Sequence, residues 1–197
     1  LIAINPDHPF FNLPLPLIKA GRRTTAWVRD AGERVISAYR FHRFSDRYPH
    51  DILFIAGLPK SGTTWLENML ASFPGYHKIT PYDAVRYEME HGESHSYSLP
   101  KGFFKRYRNR LLVIKLHLNG SRHNAESLKA AGIKYIILYR DLRDVAVSYC
   151  FYVSRTPWHP DFQAYRKLSF TEKLRCFSDS HLTDYAEWIR QWHQNHD

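Results

Sequence analysis

The sequence Asp51-Ile52-Leu53-Phe54-Ile55-Ala56-Gly57-Leu58-Pro59-Lys60-Ser61-Gly62-Thr63-Thr64-Trp65 carries the strongest signal in the chain. Ile52 to Ala56 is an unbroken apolar run with Gly57 directly after it. That pattern predicts a fully buried strand of a parallel sheet. The loop behind it packs a proline, a lysine, a second glycine and three hydroxyls into a few residues. From Thr63 the residues Trp65, Leu66, Met69 and Leu70 recur at helical spacing, with Glu67 and Asn68 on the wetter side. In a strand, glycine-bearing loop and helix start of this kind, backbone N–H groups converge on an anion and the helix dipole adds to the attraction. The stretch predicts a P-loop-like phosphate cradle.

Gly57 and Gly62 have the G-x-x-x-x-G spacing of a P-loop, but Thr63 stands where a P-loop has its lysine. Lys60 lies inside the loop instead, aimed at a different atom nearer the site of group transfer. The plain alternative is a glycine turn with a solvated lysine. It leaves unexplained why basic, hydroxyl and glycine residues fill nearly the whole loop.

The 197 residues suit one domain, residues 1–197, with 1–50 as an arm and packing helix and 51–197 as a nucleotide-binding core. A net charge of +9 predicts an anionic ligand or surface; on charge alone nucleic acid suits equally well. Cys150 and Cys176 are far apart, so neither a disulfide framework nor a zinc pattern is expected. That favours a reducing, cytoplasmic setting. No run reaches the length of a membrane span, and no signal peptide is visible after Leu1, although a sequence opening without Met leaves an upstream segment open.

Pro6, Pro9, Pro14 and Pro16 among apolar residues predict an extended arm over residues 1–20. Thr24 or Thr25 is a cap for a helix to about Tyr39, with Trp27, Val28, Ala31, Val35 and Ala38 on one face. Ser72 to Gly75 ends the helix after the cradle. Residues 76–108, with Pro81, Gly92, Pro100 and Gly102, are expected to be irregular. His91 and His95, four apart, lack an acidic or cysteine partner at ligand spacing and are expected to hold no metal. Leu111 to Leu116 is a second strand, Asn124 to Ala131 a helix stopped by Gly132, Lys134 to Tyr139 a third strand, and Leu142 to about Val153 a helix. Strands separated by helices predict an α/β fold with a central parallel sheet flanked by helices.

In such sheets ligands bind beyond the carboxyl ends of the strands. Here those ends carry Lys60, Lys115 with His117, and Arg140. A magnesium–nucleotide site wants an aspartate at such a place; Asp141 suits better a helix cap or a partner for the arginine. The expected site therefore takes a highly charged anion without a metal. His117, two residues past Lys115 on the same side of its strand, suits a base, its pKa lowered by neighbouring positive charge. Ser148 shares a helix face with Asp141, Asp144 and Val145, which either returns it toward the anion or leaves it bonded to its own backbone.

These pieces together resemble the cytosolic-type sulfotransferases, which use 3′-phosphoadenosine 5′-phosphosulfate (PAPS). Leu58 to Trp65 is similar to the family's 5′-phosphosulfate loop, Tyr139 to Tyr149 to its 3′-phosphate segment, and Ile114 to Leu118 to the strand presenting its catalytic histidine. The likeness spans about residues 50–155. It implies that Ser61, Gly62, Thr63 and Thr64 hold the 5′-phosphate and that Trp65 stacks on adenine, where pattern alone would equally make it a core residue. Arg140 and Ser148 are implied for the 3′-phosphate, His117 as the base, Lys60 on the bridging oxygen, with Ser148 holding Lys60 back, and Lys115 on the sulfuryl oxygens. No metal is implied. The acceptor is a small molecule or glycan bearing a hydroxyl or amine, and Pro81, Tyr82, Phe151 and Tyr152 are the expected frame of an apolar or aromatic-lined pocket. Asn119 replaces a usual proline, and the family's late basic-glycine segment is not in this sequence. The rival readings are a P-loop small-molecule kinase, a basic module binding nucleic acid or sulfated polymer, and an inactive nucleotide-binding fragment.

Overall fold

The computed structural model describes residues 36–91 and 95–195. The expected arm over residues 1–20 and most of the first helix lie outside them. The chain enters as helix α1, described over residues 36–44, followed by a 3₁₀ turn, Ser45–Arg47. Then come β1 (Ile52–Gly57), α2 (Thr63–Leu70), β2 (His77–Ile79), α3 (Tyr82–His91), a 3₁₀ turn (Phe103–Tyr107), β3 (Leu112–Leu116) and α4 (Arg122–Ala130). After β4 (Lys134–Leu138) the chain is helical: α5 (Leu142–Val153), α6 (Phe162–Tyr165), α7 (Phe170–Ser180) and α8 (Leu182–Asn195).

The four strands lie in the order β2-β3-β1-β4, and every neighbouring pair is parallel. This is an α/β fold with helices flanking an all-parallel sheet. Alternate side chains of a strand point to opposite faces, and both faces are covered. Phe54 and Ala56 of β1 join Leu112, Ile114 and Leu116 of β3 under Trp188 and Trp192 of α8. On the other face Ile55, Leu111 and Val113 meet Phe41 and Phe44 of α1 and Leu66 and Leu70 of α2. Each such large apolar side chain contributes about 1.5–3 kcal/mol on burial. Register carries Ala56 opposite Leu116 and Gly57 opposite Leu138. The carboxyl ends of β1, β3 and β4 are therefore level with one another.

Residues 76–108 are more ordered than expected. They hold β2 and α3, and β2 adds a strand to the edge of the sheet. Only three residues long, β2 is below the length at which periodicity shows. Two helix faces also differ from expectation. In α2, Trp65 and Met69 are exposed, 70% and 43%, whereas Glu67 is buried at 7%. Glu67 turns inward because Lys115 Nζ lies 3.6 Å from its carboxylate. In α1, Ala38 is exposed and the helix runs on to residue 44, turning Ser37, Phe41 and Phe44 to the interior. The Ser37 hydroxyl and His77 Nε2 are 2.6 Å apart.

Caps set the helices that follow the site strands. Ser121 accepts from Asn124 N at the start of α4, and Asp141 accepts from Arg143 N at the start of α5. Between β3 and α4 the chain is pinned from two sides. Buried Asn124 donates to the Asn119 side chain at 2.8 Å and accepts from Leu99 N at 3.0 Å. Trp192 Nε1 donates to Leu118 O at 3.0 Å and Asn195 Nδ2 to Gly120 O at 2.9 Å. Gly120 is required there: a Cβ would stand 2.4 Å from Trp192 N.

Candidate active site

The loop after β1 is shaped by its glycines and by one strained lysine. Gly57 has no room for a side chain, since a Cβ would lie 2.1 Å from Thr63 Cγ2. Lys60 takes a left-handed backbone, φ +66°, and Gly62 another, φ +87°. A non-glycine residue held in that region marks a functional constraint more often than chance. Gly62 is the N-cap of α2 and offers no side chain to the helix end. Among the described residues the amides of Thr63 and Thr64 have no acceptor, and the buried Ser61 hydroxyl has no partner. Unspent donors at a helix N-terminus suit an anion. The loop fits a phosphate group.

Lys60, Lys115 and Arg140 line one cleft of about 630 Å³ at the carboxyl ends of the strands, together with Gly62, Thr63, Thr64, His117 and Ser148. Each cation has a different partner. Lys115 meets Glu67 and also lies 3.4 Å from Thr64 Oγ1. Arg140 is exposed and paired with Asp144 at 2.9 Å. Asp141 pairs instead with Arg143. Lys60 Nζ stands 3.8 Å from the centre of the Tyr152 ring. Burial lowers the Lys60 pKa from the ordinary lysine value.

His117 Nδ1 lies 2.6 Å from Gly57 O. A carbonyl only accepts, so Nδ1 carries the proton and Nε2 is the bare nitrogen. The ring's pKa is pulled down to about 4. Burial is the main cause, the Gly57 carbonyl opposes it, and Lys115 adds a smaller push in the same direction. Enclosure therefore outweighs the neighbouring charge expected from the sequence.

The opposite wall was not anticipated. Tyr149, His159, Asp161, His181 and Tyr185 face the same cleft. Asp161 Oδ2 accepts from the Tyr149 hydroxyl at 2.5 Å and lies 3.1 Å from His181 Nε2. The His181 contact, aided by Tyr149, holds the Asp161 pKa down to about 2. The i, i+4 spacing of Ser148 and Tyr152 on α5 is the local signal for this wall; Asp161 and His159 come from the stretch before α6, His181 from the α7–α8 junction and Tyr185 from α8.

Of the residues expected to frame an acceptor, Tyr152 lines the cleft. Phe151 is half-exposed and packs on Phe170, with ring centres 5.6 Å apart. Pro81 is buried just before α3 and Tyr82 begins that helix; neither lines the cleft. Trp65 stands exposed beside Thr64. His91 stacks on Tyr87 while His95 faces the cleft. Among the described residues no group of three or more His, Cys, Asp or Glu is placed to hold a metal ion. A second cavity, about 670 Å³, opens at the amino end of the sheet near Asp51 and Ile133, away from these groups.

A parallel sheet with an open helix N-terminus, flanked by cations at its carboxyl end, defines an anion-handling α/β domain. The model of the sulfotransferase domain family matches residues 49–196, and the chain belongs to that family. It is a transferase of sulfuryl groups by family. Searches of curated proteins and of solved structures gave no match. Among the described residues no helix is long and apolar enough to cross a membrane.

Proposed function

We propose that this protein transfers a sulfuryl group from PAPS to the hydroxyl or amine of a small-molecule or glycan acceptor. The observation that carries the reading is the pairing of His117 with Gly57: one nitrogen is tied to the residue that opens the anion loop, and the other is free beside it. The amides of Thr63 and Thr64 and the hydroxyl of Ser61 hold the 5′-phosphate, with Gly62 and Thr64 shaping the loop. Arg140 and Ser148 take the 3′-phosphate. Trp65, exposed at the rim, offers its face to the adenine.

His117 Nε2 accepts the acceptor proton as the acceptor oxygen or nitrogen forms its bond to sulfur. The bond between sulfur and the bridging phosphate oxygen breaks in line, and its electron pair stays on that oxygen, where Lys60 neutralises the charge. Lys115 stabilises the sulfuryl oxygens. Each charge-assisted contact contributes about 1.5–3 kcal/mol. The products are the sulfated acceptor and 3′,5′-bisphosphoadenosine, and the scheme uses no metal. The two free thiols, Cys150 and Cys176, suit a cytoplasmic setting.

Calorimetric titration with 3′,5′-bisphosphoadenosine, beside ADP and ATP with and without magnesium, tests the donor. Saturable metal-free binding that prefers the 3′-phosphate is the expected result. Preference for magnesium–ATP would replace this reading with a kinase.

A further inference from the structure

The three cleft cations are held in two ways. Lys115 and Arg140 each face a carboxylate, Glu67 and Asp144. Lys60 alone rests on an aromatic face, 3.8 Å from the centre of the Tyr152 ring. We propose that Tyr152 is a positioning residue for sulfuryl transfer, its ring holding the Lys60 ammonium inside the cleft and yielding it to the leaving oxygen. The proposal rests on the PAPS reading above.

The difference between the two kinds of partner is chemical. A carboxylate neutralises an ammonium and competes with any anion that arrives. A ring face attracts the cation through its quadrupole by about 0.5–2 kcal/mol and leaves its full charge available. A charge-assisted bond to a phosphate oxygen is stronger, so the developing charge on the leaving group draws Nζ off the ring. Without the ring, the left-handed Lys60 backbone points a flexible four-carbon chain at an open cleft, and the ammonium goes to water.

Tyr152 is itself braced. It lies on α5 one turn beyond Ser148, and both line the cleft. The His159 ring meets it edge-on, 5.6 Å between centres. His159 meets Tyr149 in the same way and accepts from Asp161 N at 3.2 Å. Asp161 is fixed in turn by Tyr149 and His181. The wall opposite the anion loop thus ends in a single ring face directed at one ammonium. That gives the Tyr149–Asp161–His181 network a task beyond packing.

Two readouts test this on the full chain. In protein labelled with ¹³C at the lysine ε-carbon, assigned with Lys60→Arg, the Lys60 signal is expected upfield of the other lysines through the ring current. Tyr152→Leu moves it to the ordinary position, and Tyr152→Phe keeps it upfield. An unshifted Lys60 in the parent protein overturns the proposal whatever the activity.

The second readout is a double-mutant cycle on PAPS cleavage with water as the only acceptor, which removes any role of Tyr152 as an acceptor wall. Tyr152→Leu is expected to slow cleavage about 3- to 30-fold while 3′,5′-bisphosphoadenosine binds as before. Tyr152→Phe restores most of the rate. In a Lys60→Ala background Tyr152→Leu has no further effect. Additive losses overturn the proposal, as does a faster Tyr152→Leu enzyme. A shifted Lys60 signal with PAPS bound but never cleaved overturns the positioning role alone, whereas a protein that binds neither PAPS nor 3′,5′-bisphosphoadenosine removes the donor reading beneath it.

Discussion

His117 Nδ1 and the carbonyl oxygen of Gly57 meet at 2.6 Å, sixty residues apart in sequence and at the ends of adjacent strands in space. Gly57 closes β1 and opens the anion loop, while His117 follows the end of β3. One peptide group therefore sets both where the loop begins and which nitrogen of the ring is free. A shift of either strand by one residue would separate them.

The first prediction concerns pH. With burial pulling its pKa down to about 4, His117 is neutral through the physiological range. The acid limb of kcat/KM is expected well below the ordinary histidine value of about 6.5. Because the folded value is the lower one, the unfolded chain takes up the proton first. The His117 contribution to stability is full above about pH 6.5 and is lost as pH falls toward the folded value. Urea denaturation from pH 7 to 4 should show a steeper loss in the parent than in His117→Gln. Identical slopes would mean that the ring titrates normally.

Arg140 and Asp144 form an exposed pair, and such pairs contribute little, about 0–1 kcal/mol. Asp144→Ala should leave stability and bisphosphate binding nearly unchanged. Arg140→Ala should weaken 3′,5′-bisphosphoadenosine by about tenfold or more, and the 3′-dephosphorylated analogue much less. Calorimetry decides, and equal losses for the two ligands would rule out the 3′-phosphate role.

Gly57→Ala tests the loop sterically. Its methyl meets Thr63 Cγ2, a contact that a serine at 63 removes. The single variant should lose about 1–3 kcal/mol and bind the bisphosphate poorly. Gly57→Ala/Thr63→Ser should regain most of both by denaturation and titration. A double variant no better than the single would put the cause elsewhere than in this collision.

Glu67 is the buried partner that aims Lys115. Glu67→Ala should cost about 1–3 kcal/mol in stability by leaving the ammonium unpaired, and Glu67→Ala/Lys115→Met should recover part of it. Thermal melts at two salt concentrations give the answer. A Glu67→Ala melt identical to the parent would reduce the contact to a surface pair.

Much of this is legible in the sequence. The strand over residues 52–56 and the helix over 142–153 that the sequence predicts have nearly the observed bounds, because long apolar runs and capped helical periods announce themselves. Level strand ends follow from a parallel sheet, which is why Lys60, Lys115, His117 and Arg140 reach one cleft. The inward turn of Glu67 was hidden, since it depends on a lysine 48 positions later. β2 was too short to show a period. The wall of His159, Asp161 and His181 has no local pattern, being assembled from a loop and a helix junction around Tyr149.

Helix α8 grips the segment after His117 through Trp192 to Leu118 and Asn195 to Gly120. The consequence is one of timing. The anion loop and α2 lean on β1, β3 and β4, with Leu58 N donating to Leu138 O, and need no residue of α8, whereas the grip needs Trp192 and Asn195. Both sets of contacts span long loops, whose closure precedes the reward of packing, but they draw on different lengths of finished chain. On a growing chain the cradle can therefore take shape while residues 182–195 are still being made. Each molecule gains a place for an anion before the segment behind its histidine is pinned.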